Sequence, residues 1–427
     1  MMYWSKYNRI YEVDSENFVI YNYAWNKSIF IVKELKDILQ KYINTIDDLS
    51  AIHSAFFRVL VANKMIVNNV FEDIENVKEN ILATLSSSKT LRLTINPTLD
   101  CNLRCWYCYE TRNKEAYMSE QTIKSIGDFV ALRLNGNVEN VILAFFGGEP
   151  LLTANKRAIP IARMISYICK ERGTSLSLHF TTNGSLMRPN IIDKIAALGL
   201  PTIFQIAFDG DRILHNKIKN WAGLGTYDIV LNNIEYALSK RLKVNIRCNY
   251  TSENISSFRN LIDDVYKIRN ADKSLIGISF QRVWQEVATK ELFEKAKLIN
   301  DYACSLGYNS DLGGSVCAKS YCYADFDNSY VINYNGDVFK CTARDFDASH
   351  KLGELNTKGD IVNYDIKYQS CMRIKTYCTE CSLLPICTIC SQSHKENLTN
   401  ECPKIISEED KERQIRLRFY ELFSEYL

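Results

Sequence analysis

The sequence predicts an α/β protein whose centre is a partial (β/α)6 barrel of the TIM type. Between residue 91 and about residue 281, short apolar runs rich in β-branched and aromatic side chains alternate with amphipathic segments. This alternation is typical of a parallel sheet with helices packed outside it. The six predicted strands are Leu91–Thr98, Val141–Phe146, Leu176–Thr181, Thr202–Phe208, Lys243–Asn249 and Leu275–Gln281.

Two helix starts support this assignment. Ser119 precedes a periodic apolar set that includes Ile126 and Val130, and Pro189 stands in a first turn before Ile191. In α/β barrels the chemistry lies on loops at the carboxyl ends of the strands. We therefore expect functional residues directly after the predicted strands.

The segments on either side of the barrel have a different character. A helical region from Val32 to Met65 follows three short strand candidates, which together predict a small winged-helix-like module. After the barrel, the sequence is rich in cysteine through Cys402 and then predicts a last helix. The predicted domains are 1–88, 89–309, 310–405 and 406–427. The strand candidates are Arg9–Val13, Phe18–Tyr23 and Ser28–Ile31, and the last helix is Ser407–Tyr426.

Composition bounds the kind of partner. The 427 residues include 52 basic and 50 acidic side chains, and a net charge of +2 does not favour nucleic acid. No apolar run is long enough to span a bilayer, and the first residues lack a signal-peptide core, so we expect a cytoplasmic protein with no membrane partner. Because the cytosol keeps thiols reduced, the 15 cysteines predict metal or cluster ligation rather than disulfides.

Cys101, Cys105 and Cys108 stand on one short loop directly after the first predicted strand. A cubane iron–sulfur cluster takes four thiolates, and this loop supplies three, so one iron keeps a position for a group that is not protein. Zinc is the alternative. Its ligands usually come as two pairs, however, and neither a Cys nor a His follows within the next sixty residues.

The spacing Cys-x3-Cys-x2-Cys, with Tyr107 before the last cysteine, resembles the signature of the radical SAM superfamily. The resemblance implies a [4Fe-4S] cluster whose fourth iron is bound by S-adenosylmethionine (SAM), with Tyr107 against the adenine. It also implies the reaction. An electron from the reduced cluster would split SAM and give a 5′-deoxyadenosyl radical, which removes an unactivated hydrogen.

Further strand ends carry residues that fit this resemblance. Gly147-Gly148-Glu149 follows the second strand, where glycines allow close approach of a ligand and the carboxylate can accept from an ammonium group. The resemblance implies that Glu149 holds the amino group of SAM and that Asn183, after the third strand, lines the same ligand. Arg247 in the fifth strand would suit the methionine carboxylate, and a salt-bridged strand arginine is the alternative.

Asp209, after the fourth strand, is a further expected SAM contact, although its surroundings depart from the family pattern. Related enzymes often carry a Ser where this chain has Ala207, and an Arg where it has Lys219. The hydroxyl that could meet a ribose is therefore missing. His215, between these positions, is expected to be structural.

The C-terminal cysteines form a second pattern. Asn335-Gly336 predicts the turn of a hairpin, and cysteines lie before and after that hairpin and then in closely spaced pairs. Eight cysteines spaced in this way suit two fully ligated cubanes, and a pair of structural zinc sites is the alternative. The eight are Cys317, Cys322, Cys341, Cys378, Cys381, Cys387, Cys390 and Cys402.

This pattern resembles the SPASM domain, which holds two auxiliary clusters. The resemblance implies one cluster on Cys317, Cys322, Cys341 and Cys390 and a second on Cys378, Cys381, Cys387 and Cys402. The family usually has three residues between the last two cysteines of the central run. Here two residues separate Cys387 from Cys390, which leaves the role of Cys390 open.

Together the resemblances predict a radical SAM/SPASM enzyme with three [4Fe-4S] clusters and SAM. We favour a maturase of ribosomally made peptides, which installs a thioether or carbon–carbon crosslink in a short precursor peptide. The N-terminal module resembles domains that capture a leader segment as an added strand, and the run 339–345 resembles peptide maturases. A flavodoxin- or ferredoxin-type electron donor is a further expected partner.

Two other functions stay open. A sulfatase maturase oxidises a Cys or Ser to formylglycine, but such enzymes keep an acidic residue directly after the hairpin cysteine, where Thr342 follows Cys341. The other is a non-catalytic iron–sulfur or peptide-binding protein. The altered positions Ala207 and Lys219 favour it, and the complete cysteine and Gly-Gly-Glu motifs oppose it.

Overall fold

The structure is a computed structural model that describes residues 1–110, 112–134, 136–268, 272–313, 321–365, 373–397 and 399–423. The chain forms two compact units. The barrel unit comprises Ser88–Ser315 and Asn328–Ile366, and the terminal unit comprises Met1–Ser87, Val316–Asp327 and Lys367–Leu427. This grouping combines the two ends of the chain and divides the predicted 310–405 segment. It describes compact units rather than domains, and the predicted domain boundaries stay a prediction.

The terminal unit begins with a small antiparallel sheet, β2-β3-β4, and a separate β1-β5 pair. The three strand candidates and the following helical region are therefore found, and a longer helix, α4, follows them. The elements are β1 Tyr3–Trp4, β2 Asn8–Glu12, β3 Asn17–Asn22, β4 Lys27–Val32, α1 Lys33–Tyr42, α2 Leu49–Ile52, α3 Ser54–Ala62, β5 Ile66–Val67 and α4 Val70–Ser86.

The barrel unit is built from alternating strands and helices. Its strands are β6 Thr90–Ile95, β7 Asn140–Phe145, β8 Ser175–Thr182, β9 Thr202–Phe208, β10 Asn220–Trp221, β11 Leu224–Gly225, β12 Lys243–Tyr250, β13 Ile276–Arg282, β14 Asn309–Asp311, β15 Ser329–Ile332, β16 Asp337–Phe339, β17 Gly353–Leu355 and β18 Ile361–Val362. Its helices are α5 Glu120–Arg133, α6 Ala158–Glu171, α7 Pro189–Ala196, α8 Arg212–Ile218, α9 Tyr227–Ser239, α10 Phe258–Tyr266 and α11 Lys290–Ser305.

The predicted α/β fold is confirmed. The six predicted strands are β6, β7, β8, β9, β12 and β13, and they lie side by side and parallel in that order. The predicted helix starts are also confirmed. The Ser119 hydroxyl accepts from the N–H of Thr122 at the start of α5, and Pro189 occupies the first turn of α7.

The main sheet includes the predicted hairpin, a pairing that the sequence did not indicate. The predicted Asn335-Gly336 hairpin is present as antiparallel β15 and β16, with Gly336 at φ 88°. Its first strand also pairs in parallel with β6, with Val331 opposite Thr94. The sequence did not indicate this pairing because all four residues of β15 are buried, so the strand shows no alternation of apolar and polar residues. The full order is β14-β13-β12-β9-β8-β7-β6-β15-β16-β17-β18.

The strands of the barrel alternate between a fully buried face and a partly exposed face. In β7, β8 and β9 the buried face includes Phe145, Phe180 and Phe204, whose rings stack at 4.9 and 5.2 Å between centroids. The other face is less apolar and, in β9 and β12, carries Ala207 and Arg247. The apolar face forms the core, which leaves the second face to border a cavity.

The terminal unit is completed by α12 Ser391–Glu396 and α13 Glu408–Phe423. One hydrophobic core joins its N-terminal strands to its C-terminal residues. Tyr11 of β2 stacks on Phe419 of α13 at 4.1 Å between ring centroids, and Tyr21 of β3 packs in the same core. Within the described ranges, no helix has both the length and the apolar character needed to cross a membrane.

Candidate active site

A cavity of about 180 Å³ lies at the carboxyl ends of the barrel strands. The cysteine loop after β6 forms one wall, and the residues at or after the ends of β7, β8, β9, β12 and β13 form the rest. This is the edge at which a parallel barrel gathers its functional loops. The predicted site residues that line the cavity are Cys101, Cys105, Tyr107, Cys108, Gly147, Gly148, Asn183 and Arg247.

Cys101, the first cysteine of the loop, has hydrogen-bond donors close to its sulfur. The N–H of Leu103 donates to Cys101 Sγ at 3.4 Å, and the Asn183 amide lies 3.9 Å from the same sulfur. Burial, followed by the nearby Glu149, raises the pKa of Cys101 to about 12. Binding of a metal cluster would therefore release protons from this loop.

The glycines after β7 are required by the cysteine loop itself. Gly147 adopts φ +99°, and a Cβ there would lie 2.5 Å from the carbonyl oxygen of Thr98. A Cβ on Gly148 would lie 2.1 Å from the carbonyl of Asp100. The sequence suggested that these glycines admit a ligand. In the structure they first admit the chain segment that leads into Cys101.

Glu149 lies behind the cavity wall and is fully buried. Its carboxylate accepts from the N–H of Leu151 at 2.9 Å, from the Thr182 hydroxyl at 2.8 Å and from the N–H of Asn183 at 2.8 Å. Burial raises its pKa to about 7, and these hydrogen bonds oppose the rise. Glu149 therefore connects the end of β7 to the turn after β8.

Asp209 is also fully buried and does not line this cavity. Its carboxylate meets the Lys219 ammonium and the Tyr107 hydroxyl. Lys219 itself lines the cavity, although it was identified from the sequence only as a departure from the family pattern. Arg247 reaches the cavity as expected, and its Nε donates to Asn249 Oδ1 at 3.0 Å.

The remaining lining includes residues that the sequence reasoning missed. Tyr109 and Trp284 stack with 5.3 Å between ring centroids and are 38% and 60% exposed. Glu110 lines the cavity with both carboxyl oxygens buried and without a hydrogen-bond partner. The position of Trp284, just after the sixth predicted strand, was a usable signal, because the other site residues also follow strands.

The family model of the radical SAM superfamily matches residues 95–265, which contain the cysteine loop and the strand ends that surround the cavity. Residues 95–265 therefore form a radical SAM domain. The predicted recognition is thereby confirmed, and the non-catalytic alternative is set aside because the chain is a radical SAM enzyme. The superfamily implies a [4Fe-4S] cluster and SAM in this cavity.

Similar proteins include a radical SAM cyclopropyl synthase, TigE of Paramaledivibacter caminithermalis. It is 24% identical over 298 residues, which cover 61% of this chain and 60% of that protein, less than two thirds of its length. A cysteine-type anaerobic sulfatase-maturating enzyme of Clostridium novyi is 23% identical over 354 residues, 73% of this chain and 91% of the relative. The crystal structure of Streptococcus suis SuiB bound to precursor peptide SuiA shares the fold, with a TM-score of 0.51, 17% identity and coverage of 93% and 97%.

The residues of the cavity fit the cofactors of a radical SAM enzyme. Three thiols on one wall match the donor set of a cubane with one open iron, because thiolate sulfur is the ligand that iron–sulfur clusters use. Asn183, which lies against the loop, and Arg247 of β12 carry N–H groups that can donate to an amino-acid carboxylate. These residues would hold the cluster and SAM.

A second cavity, of about 470 Å³, lies within the terminal unit of this radical SAM enzyme. Cys378, Cys381, Cys387 and Cys402 all line it, together with basic side chains that include Lys411. Among the described residues, no three His, Cys, Asp or Glu side chains converge closely enough to hold a single metal ion. The cavity instead has four thiols in its wall, and the farther cluster on them stays a prediction.

Cys390 lies beside Cys322 in the terminal unit. The two thiols share a hydrogen bond that lowers the pKa of Cys390 to about 6 and raises that of Cys322. Asp325 secures this region, since it accepts from the N–H of Ser391 at 2.7 Å and from Arg373 Nε at 3.0 Å. The shortened spacing before Cys390 therefore still brings it to a partner of the predicted nearer cluster.

The other two predicted ligands of that cluster are Cys341 and Cys317. Cys341 follows the β15–β16 hairpin in the barrel unit. Cys317 lies outside the described residues. The ligand set of the nearer cluster stays a prediction.

Proposed function

We propose that this radical SAM enzyme is a peptide maturase, which abstracts hydrogen from a precursor peptide and thereby installs a thioether or carbon–carbon crosslink. The observation that carries the proposal is the cavity that joins the three-cysteine loop to an exposed aromatic pair, Tyr109 and Trp284. A small cavity with an aromatic rim suits a side chain delivered by a larger, flexible substrate.

The residues around the cavity have distinct roles in this proposal. When bound, the reduced cluster and SAM supply a 5′-deoxyadenosyl radical that removes a hydrogen atom. Cys101, Cys105 and Cys108 would hold the cluster. Asn183 and Arg247 would orient the amino-acid part of SAM, and the aromatic rim would exclude water from the reacting side chain.

The likeness to a fold that has been crystallised with a precursor peptide supports a peptide substrate. The terminal unit adds a reason of its own, because β4 is an edge strand that could accept an extended leader segment. The two predicted auxiliary clusters, of SPASM type, would complete a total of three [4Fe-4S] clusters. A flavodoxin- or ferredoxin-type protein of the same cytoplasmic compartment would supply the electrons.

The experiment is anaerobic reconstitution followed by incubation with SAM, a strong reductant and the peptide encoded beside this gene. We expect 5′-deoxyadenosine and a peptide that has lost two hydrogen atoms. Cys105→Ala should abolish both, whereas Cys304→Ala, at an exposed cysteine outside the ligand patterns, should retain both. Unmodified peptide in the presence of 5′-deoxyadenosine would contradict the proposed substrate and leave the radical SAM chemistry intact.

A second candidate is formylglycine formation, which the match to 91% of a sulfatase-maturating enzyme favours. The residue after Cys341 opposes it, because Thr342 stands where an acidic residue is expected. A sulfatase-derived peptide tested in the same assay separates the two functions. Conversion of its Cys or Ser to an aldehyde would favour this candidate over crosslinking.

A further inference from the structure

A buried lysine stands directly behind the cysteine loop. The Lys219 side chain is 3% exposed, and that of Asp209, its ion-pair partner, is 0% exposed. The ammonium also donates to the Tyr107 hydroxyl at 2.7 Å. Burial lowers the pKa of Lys219, but Asp209 and Tyr107 outweigh burial and raise it, so the side chain stays charged.

The Tyr107 hydroxyl is fully used by this arrangement. It donates to Asp209 Oδ1 at 2.6 Å and accepts from Lys219 Nζ and, at 3.1 Å, from Asn249 Nδ2. A phenol has one donor and two acceptor positions, so no position is left for a ligand. The Lys219 ammonium also lies 5.3 Å from the centroid of the Tyr107 ring.

The groups that hold Tyr107 are themselves fixed by the backbone. The N–H of Lys219 donates to the His215 carbonyl at 2.7 Å. The carbonyl of Lys219 accepts from the Thr226 hydroxyl at 2.9 Å. The Asn254 amide donates to the carbonyl of Asp209 at 3.2 Å. The loop after β6, the residue after β9, the end of α8 and strand β12 are thereby connected at one phenolic oxygen.

Tyr107 stands between two of the three cysteines of the loop and lines the cavity with them. A shift of its ring would therefore move Cys105, Cys108 and the cavity wall together. We propose that Lys219, held by Asp209, is a positioning residue that fixes the Tyr107 ring and, through it, the wall of the SAM cavity. The inference rests on SAM binding by this superfamily and is independent of the proposed peptide chemistry.

The test measures SAM binding without any peptide, in the full chain reconstituted with iron and sulfide. Lys219→Met alone would leave the Asp209 charge buried and unpaired, which is strongly destabilising. The double variant D209N/K219M removes both charges. We expect it to keep the iron content of the wild type and to bind SAM on the order of tenfold more weakly, because the wall is no longer fixed.

Tyr107→Phe supplies an independent variant, because it keeps the ring and the ion pair and removes only the shared hydroxyl. We expect the same weakening of SAM binding, and no further loss when D209N/K219M is added to Y107F. The matched control is D193N/K240M, which removes an exposed ion pair of 2.8 Å in the same unit and should leave SAM binding unchanged.

Wild-type SAM affinity in Y107F would overturn the proposal, even where D209N/K219M failed to fold. Losses that multiply in the triple variant would also overturn it, because Lys219 and Asp209 would then contact SAM themselves. The electron paramagnetic resonance signal of the reduced cluster gives a second readout. The change that SAM causes in this signal should be smaller in both variants than in the wild type.

Discussion

At the scale of single residues, Glu110 has both carboxyl oxygens buried without a hydrogen-bond partner in the wall of the cavity. Burial, and then the charge of Asp345, raise its pKa from 4.5 to about 9. The folded protein therefore keeps a proton that the unfolded chain releases. Between these two pKa values, the free energy of unfolding should fall by up to about 1.4 kcal/mol per pH unit as pH rises.

Glu110→Gln should remove this pH dependence, because the amide carries no proton to lose. Between pH of about 6 and about 8, wild type should lose up to about 2.7 kcal/mol more stability than E110Q. Anaerobic urea unfolding of the reconstituted proteins measures the difference. Glu235→Gln, at an exposed carboxyl of α9, is the control and should follow wild type. Parallel curves for wild type and E110Q would contradict the prediction.

The sequence located the cavity but not the pairings behind it. The cysteines, the glycines, Asn183 and Arg247 were identified because each stands in a motif or at a strand end. The Lys219–Asp209–Tyr107 arrangement was not, because its members lie on separate loops and their contacts follow from the closure of the barrel. Glu149 and Asp209, which were expected to contact SAM, are fully buried, and their contact with SAM stays a prediction.

At the scale of elements, local patterns predicted most of what was found. The six strands were recognisable as short apolar runs, and the hairpin from its Asn-Gly turn. The parallel pairing of β15 with β6 left no such signal, because the two strands are far apart in the sequence and a fully buried strand shows no alternation.

The edge strand β4 offers a prediction at the scale of elements. The backbone N–H of Lys33 donates to the Glu16 carbonyl at 2.8 Å. Since hydrogen-bonded and non-hydrogen-bonded pairs alternate along an antiparallel ladder, the next pair, Val32–Asn17, is a non-hydrogen-bonded pair. The N–H of Val32 therefore points away from β3. Val32→Pro should remove a donor to an added peptide strand. Val32 has a φ of −83°, which proline can adopt, and the substitution leaves the hydrogen bonds between β4 and β3 in place.

We expect V32P to weaken binding of a synthetic precursor peptide by about 1 kcal/mol, roughly fivefold in Kd. Val32→Ala is the matched control, because it trims the same side chain and keeps the N–H. Fluorescence titration of the two variants measures the difference. Equal affinities for V32P and V32A would place the leader segment elsewhere.

At the scale of the whole molecule, the terminal unit packs N-terminal residues against the segment that carries the cysteines of the second cavity. Lys6 Nζ donates to the Thr379 carbonyl at 2.6 Å, and the Tyr23 hydroxyl donates to the Ser382 carbonyl at 2.9 Å. Each carbonyl belongs to a residue next to a cysteine that is predicted to bind a cluster. The sequence could not reveal this, because its motifs indicated two separate domains at opposite ends of the chain.

Deletion of residues 1–87 should therefore damage the second cavity as well as any leader-binding surface. It would expose a core in which each large buried side chain is worth about 3–5 kcal/mol. We expect the truncated protein to lose at least the four irons of one cubane, by iron and sulfide analysis, whereas V32P keeps them. The C-terminal side chains exposed by the deletion are Tyr321, Leu383, Leu384, Ile415 and Phe419.

A truncated protein with the iron content of the full chain would show that the C-terminal segment folds without its N-terminal partner strands. With the expected loss, the absence of turnover after truncation carries no information on leader recognition, because a missing cluster explains it equally well. The variants of β4 test recognition in an intact core. For that reason the peptide-binding proposal depends on V32P and V32A rather than on truncation.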